Sequence, residues 1–134
     1  MDHALTELQL AILAVLWEHG DVGVADIHDE LRRERRIAQT TVATLLSRLE
    51  ERGIVGRRKV DRQYLYRSRV SRSEVRHSMV REFTDATAKL FQGDVAGLVS
   101  ALVSEREADA DEIARAREVL AQRERELRQK ERGA

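Results

Sequence analysis

The chain has no cysteine and no proline in its 134 residues, and aromatic side chains make up only 4% of it. Without cysteine, disulfide scaffolds, thiolate metal sites and cysteine nucleophiles are excluded. Without proline, collagen-like and proline-rich architectures go too. Long apolar runs are also missing: the uncharged stretch Val95 to Ser104 spans ten residues, against the roughly 20 that a membrane-crossing helix needs. Met1-Asp2-His3 lacks the basic-then-apolar pattern of a secretory leader. The expectation is a soluble, cytoplasmic protein with one compact domain or two small lobes.

Charge is present in balance, with 24 Lys plus Arg against 24 Asp plus Glu, but it is unevenly distributed. Residues 1–30 hold seven acids and no Lys or Arg, residues 31–76 hold fourteen basic and five acidic residues, and residues 77–134 hold ten basic and twelve acidic. The middle block is therefore at +9 between flanks of −7 and −2. Such a block fits a polyanionic partner or an ordinary solvated arginine face, and charge alone leaves both open.

Periodicity organises the chain into helices around one hairpin. Thr6 and Gln9 have capping-box spacing, and Leu8, Ile12, Val15 and Leu16 recur at helical intervals up to His19, with Gly20 as the stop. Leu10, Leu13 and Trp17 extend the apolar surface round that helix, so it belongs at the centre of a small domain. A second helix is predicted over Val24 to Glu34, with Ile27 and Leu31 inward and Asp29, Glu30, Arg32 and Arg33 outward. In a third, Val42, Leu45, Leu46 and Leu49 form the buried stripe and Gly53 the cap. Its other face carries Gln39, Thr40, Thr41, Ala43, Thr44, Ser47 and Arg48, where a merely solvated face would favour long Glu and Lys. Small polar side chains let a helix backbone come close to something.

After Gly53 the period falls to about two. Ile54 to Val60 and Gln63 to Ser68 read as a hairpin turning at Asp61-Arg62, lined by Arg57, Arg58, Lys59, Arg62, Arg67 and Arg69. The turn lacks Asn-Gly, so its type does not follow from sequence. Tyr64 and Tyr66 are expected to pack on the sheet and Trp17 in the core. Ser71 with Glu74, Asp94, and Ser104 with Glu107 are read as the starts of three further helices. In the last of these, Ile113, Leu120 and Leu127 recur every seven residues on an otherwise charged surface, and together with Val95, Leu98, Val99 and Leu102 they suggest a dimer seam.

Three helices followed by a basic hairpin is the element order of a winged helix-turn-helix: a mainly α fold with a small β wing. Residues 1–70 would form this DNA-binding domain and residues 71–134 a helical dimerisation domain. A major groove about 12 Å wide admits a helix whose leading face is short, as at Thr40, Thr41, Ala43 and Thr44. Arg48 can reach a base edge or a phosphate, and Arg57, Arg58, Lys59 and Arg62 would serve the phosphate backbone.

Thr41-Val42-Ala43-Thr44-Leu45-Leu46-Ser47-Arg48-Leu49-Glu50-Glu51-Arg52-Gly53, then Arg62-Gln63-Tyr64-Leu65-Tyr66, resembles the penicillinase repressor family of BlaI and MecI type regulators. Leu5 to Trp17 and Phe91-Gln92-Gly93-Asp94-Val95 with Leu98-Val99 resemble it as well, so the likeness covers nearly the whole chain. The resemblance implies a homodimeric repressor on a palindromic double-stranded operator; from the residues, neither a cofactor nor a metal is expected. In antibiotic-responsive members a membrane sensor metalloprotease relieves repression by cleavage in the dimerisation lobe. The corresponding region falls near Ala101 and Leu102, where this sequence departs by carrying Ala in place of the Asn of those members. Copper sensing through C-terminal cysteines, known in a related branch, does not apply to a chain without them.

The same residues bear on other functional classes. His3, His19, His28 and His77 are scattered, and neither a nucleophile elbow nor a His-Glu-x-x-His motif occurs, so an enzyme is not expected. A metal cluster at His28, Asp29 and Glu30 is disfavoured because adjacent helical residues point apart. A protein-binding winged helix fits the Thr-rich face and basic hairpin poorly. A ligand-sensing regulator with a small-molecule pocket between its lobes remains as the alternative function.

Overall fold

Thr6 opens the first helix with a reciprocal cap. In the computed structural model, which describes residues 5–133, the Thr6 hydroxyl accepts from the Gln9 amide at 3.1 Å while the Gln9 side-chain carbonyl accepts from the Thr6 amide at 3.0 Å. The elements are α1 (Glu7–His19), α2 (Val24–Leu31), α3 (Gln39–Glu51), β1 (Val55–Val60), β2 (Gln63–Ser68), α4 (Arg72–Phe91), α5 (Val95–Arg106) and α6 (Ala110–Arg132). His3 lies outside the described residues.

The chain divides into two compact units, one ending at Ala86 and the other beginning at Thr87. The first is built around α1, whose Ile12, Leu13 and Leu16 are buried with Ile27 and Leu31 of α2, Val42, Leu46 and Leu49 of α3, and Ile54, Val55 and Tyr66 of the hairpin. Each buried aliphatic side chain contributes about 2 kcal/mol by leaving water. Val75 is buried in the same cluster and Met79 packs against it, so the unit runs past residue 70 into the first turns of α4.

β1 and β2 pair antiparallel from Val55↔Ser68 to Val60↔Gln63. The two residues between them, Asp61 and Arg62, both have positive φ, 49° and 71°, the backbone of the tight turn whose twist matches the strands. A third rung comes from the α1–α2 loop, where Val22 and Tyr66 exchange backbone hydrogen bonds of 2.8 and 3.2 Å. Beside it the Gln63 side-chain amide occupies the space that a Cβ at Gly23 would take.

Trp17 is half-buried against this core rather than within it. Its indole Nε1 donates to the Ser68 hydroxyl at 3.1 Å and to the Val70 carbonyl at 2.9 Å, and the Arg72 guanidinium lies 5.3 Å from its ring centre. Tyr66 is buried as expected, but Tyr64 is exposed.

Two helix boundaries differ from the sequence reading. α2 stops at Leu31, its last inward residue, and Arg32 to Glu34 continue as a turn because nothing apolar remains to bury. The restart expected at Ser104 and Glu107 occurs instead at Asp109. The apolar run carries α5 through Ser104, Glu107 breaks it in the left-handed region, and Asp109 with Glu112 forms the capping box of α6.

The second unit contains the end of α4, α5 and α6. Asp94 caps α5 by accepting from the Gly97 amide at 3.0 Å. Neither α5 nor α6 contains a buried residue. Val95, Leu102, Val119, Leu120 and Leu127 are instead among the large apolar side chains exposed on the chain.

Candidate nucleic-acid interface

α3 is anchored by its leucine side and bare on the other. Val42, Leu46 and Leu49 are fully buried and Leu45 half-buried, while Gln39, Thr40, Thr41, Thr44, Ser47 and Arg48 are exposed and Ala43 half-buried. Thr41, Thr44 and Arg48 follow at i, i+3 and i+7, which places them along one stripe of the helix. The Thr44 hydroxyl donates to the Thr40 carbonyl at 3.0 Å. Its proton is therefore committed within the helix, and it offers a partner an acceptor oxygen and a methyl group.

Two of the hairpin arginines, Arg57 and Arg58, are exposed but already engaged. Arg57 Nε lies 3.2 Å from a Glu50 carboxylate oxygen at the end of α3, and its guanidinium stacks 4.1 Å from the Tyr64 ring centre. Hydrogen bonding to the Tyr66 side chain, with the Glu50 charge in support, raises the Arg57 pKa above its ordinary value. Arg58 pairs with Asp21 of the α1–α2 loop at 2.9 Å. Lys59 lies 5.8 Å from the Tyr64 ring. Arg48 and Arg62 have no ion-pair partner among the described residues.

The residues expected at the dimer seam and the cleavage region lie in the second unit. Val95, Leu102, Leu120 and Leu127 are exposed, Leu98, Val99 and Ile113 half-buried, and Ala101 half-buried in the interior of α5. His28 does not stand with carboxylates: its Nε2 meets the Ile37 carbonyl at 2.8 Å, while Asp29 and Glu30 pair with Arg32 and Arg33. Among the described residues no group of three or more His, Cys, Asp or Glu is placed to hold a metal, and no helix is long and apolar enough to cross a membrane.

Four features escaped the sequence reading. Asp21 and Glu50 as counter-charges of the wing, and Tyr64 as its exposed ring, depend on contacts between distant segments. The fourth is the run Arg32-Arg33-Glu34-Arg35-Arg36 immediately ahead of α3, whose density of arginine was itself a signal.

A helical triad, a two-stranded wing with a third rung, and an outward third helix define a winged helix-turn-helix protein. The penicillinase repressor family matches over residues 5–122, and the chain belongs to that family, one of transcriptional repressors. It is 25% identical over 123 residues to the methicillin resistance regulatory protein MecI of Mammaliicoccus sciuri, covering 90% of this chain and 98% of that one. It is 25% identical over 109 residues to the penicillinase repressor of Staphylococcus aureus, covering 81% and 84%. Among solved structures, the DNA binding domain of the repressor BlaI aligns with a TM-score of 0.49 and 22% identity, over 55% of this chain and 93% of that domain. A MarR family protein from Bacillus stearothermophilus aligns with a TM-score of 0.47 and 20% identity, over 78% and 73%.

Proposed function

We propose that the protein is a homodimeric transcriptional repressor that inserts α3 into the major groove of a palindromic operator. The observation that carries this reading is the division of α3 into a buried leucine face and an exposed face of small polar residues ending in Arg48. Gln39, Thr40, Thr41, Ala43 and Thr44 approach base edges, Arg48 reaches a base or phosphate from the next turn, and Arg57, Arg58 and Arg62 position the wing on the backbone. Residues 1–70, braced by Val75 and Met79 at the start of α4, then serve DNA recognition, and the rest of residues 71–134 the dimer.

The dimer reading is supported by α5 and α6, which bury no residue within the chain and leave Val95, Leu102, Leu120 and Leu127 exposed. A helical unit of this size without a core is marginal alone, and a second copy covering these residues with Leu98, Val99 and Ile113 supplies the missing burial. Relief by a membrane sensor metalloprotease would require α5 to unwind first, because Ala101 and Leu102 lie inside its continuous helix.

The experiment is selection of duplexes from a random pool by the full chain, followed by binding of the selected and a scrambled duplex across salt concentrations. Replacing Thr44 or Arg48 blurs discrimination between the two duplexes, whereas replacing Arg58 or Arg62 weakens both alike. Identical behaviour of the two classes of variant sinks the assignment of roles.

A further inference from the structure

The wing is one basic flank of α3, and a second lies at its other end. His28, Arg32, Arg35, Arg36, Ile37 and Ala38 line a concavity of about 570 Å³. No carboxylate is among these residues, although the chain has as many acids as bases. Ala38 is the residue that caps α3, so the concavity adjoins Gln39, Thr40 and Thr41.

Its parts are held in different ways. Arg35 donates to both carboxylate oxygens of Glu7, at 2.8 and 3.1 Å, which ties the segment to α1. His28 contacts the Ile37 carbonyl at 2.8 Å and fixes the approach to α3. Arg32 keeps an exposed i,i+3 contact with Asp29 at 3.4 Å, a pair weak enough to exchange. Arg36 is exposed and has no ion-pair partner among the described residues. The concavity thus has a braced frame and an uncommitted guanidinium, and a guanidinium matches a phosphate with two parallel hydrogen bonds. The positive end of the α3 dipole adds to the same field.

We infer that the concavity formed by His28, Arg32, Arg36 and the Ile37-Ala38 backbone seats a phosphodiester group of bound DNA, with Arg36 as its principal ligand. The inference rests on the DNA-binding reading and adds to it a backbone contact on the side of α3 away from the wing's Glu50 anchor. With contacts at both ends, the depth and angle of α3 in the groove are set before any base is read.

The test compares full-length protein with Arg36→Ala and Arg36→Lys on a pool-selected duplex and a scrambled duplex of the same length, from low to moderate salt. Arg36→Ala is expected to weaken both by a similar factor, about tenfold to a hundredfold at roughly 0.1 M salt, and to flatten the log–log salt dependence by about 1.8, the value of one phosphate contact in each half-site of the dimer. Arg36→Lys keeps most of the slope. Inorganic phosphate at matched ionic strength competes no better than chloride if the seat belongs to DNA; stronger competition by phosphate, lost in Arg36→Ala, assigns it to a free anion and overturns the proposal. Unchanged slope and affinity in Arg36→Ala overturn it while leaving the repressor reading intact, and loss confined to the selected duplex makes Arg36 a base reader. If the wild-type chain selects no duplex at all, the repressor reading itself fails.

Discussion

Arg58 of the wing and Asp21 of the α1–α2 loop meet at 2.9 Å although they are distant in sequence. An arginine assigned to a phosphate is thus held, in the free protein, by a carboxylate that resembles one. Arg57 has the same arrangement with Glu50. On the proposed DNA-binding reading the acids aim the guanidiniums and compete with DNA for them, and because Arg58 is mostly exposed the competition is weak, on the order of 1 kcal/mol or less.

Removing that competitor gives the first prediction. Asp21→Asn is expected to tighten binding to a scrambled duplex by about twofold to fivefold, within the range of an exposed ion pair. Binding to the selected duplex is expected to tighten by the same factor and discrimination to stay unchanged, because the gain is indifferent to sequence. Fluorescence anisotropy on selected and scrambled duplexes measures both, and weaker binding to each would instead make Asp21 a positioning residue for Arg58.

Arg62 occupies a left-handed backbone position at φ 71°, which costs a residue with a Cβ roughly 1 kcal/mol. Arg62→Gly is expected to raise stability by up to about 1 kcal/mol, less the entropy glycine adds to the unfolded chain, while weakening DNA binding through the lost charge. Arg62→Ala loses the charge without the relief. Thermal melts and anisotropy of the two variants separate the effects.

The Val70 carbonyl accepts from both Trp17 Nε1, at 2.9 Å, and the Ser68 hydroxyl, at 2.6 Å, where the sheet gives way to α4. Trp17→Phe keeps the apolar ring and removes one donor, so about 1–2 kcal/mol of stability is expected to go. Urea denaturation followed by circular dichroism is the suitable probe, since the chain has one tryptophan.

Leu120→Lys places a charge on the proposed seam at a position already exposed in the single chain. Sedimentation equilibrium is expected to show a dimer for the wild type and a monomer for the variant. Operator affinity drops by about 10²- to 10⁴-fold as avidity is lost. An unchanged mass would move the dimer contact elsewhere.

Local signals were the legible ones. Thr6 with Gln9, Gly20, Gly53 and Asp94 mark boundaries the structure keeps, because each acts on neighbours within a few residues. The leucine stripe of α3 was equally plain, since a 3.6-residue period states which side is buried. Ser104 misled because a Ser-x-x-Glu pattern inside an apolar run competes with helix continuation and loses, and the true cap lay five residues on at Asp109. The position of the turn at Asp61-Arg62 was legible but its type was hidden, because neither residue advertises positive φ as Asn-Gly does. Asp21, Glu50 and Tyr64 joined the candidate site only through long-range packing, which no local pattern encodes.

The Val22–Tyr66 rung has a mechanical consequence for the latch beside it. Because the loop bearing Asp21 is sewn to the strand that partners Arg58, donor and carboxylate ride on one rigid plate. On the proposed reading, handing the guanidinium from Asp21 to a phosphate would take only rotation about side-chain bonds, on the picosecond-to-nanosecond scale, with no hinge to open.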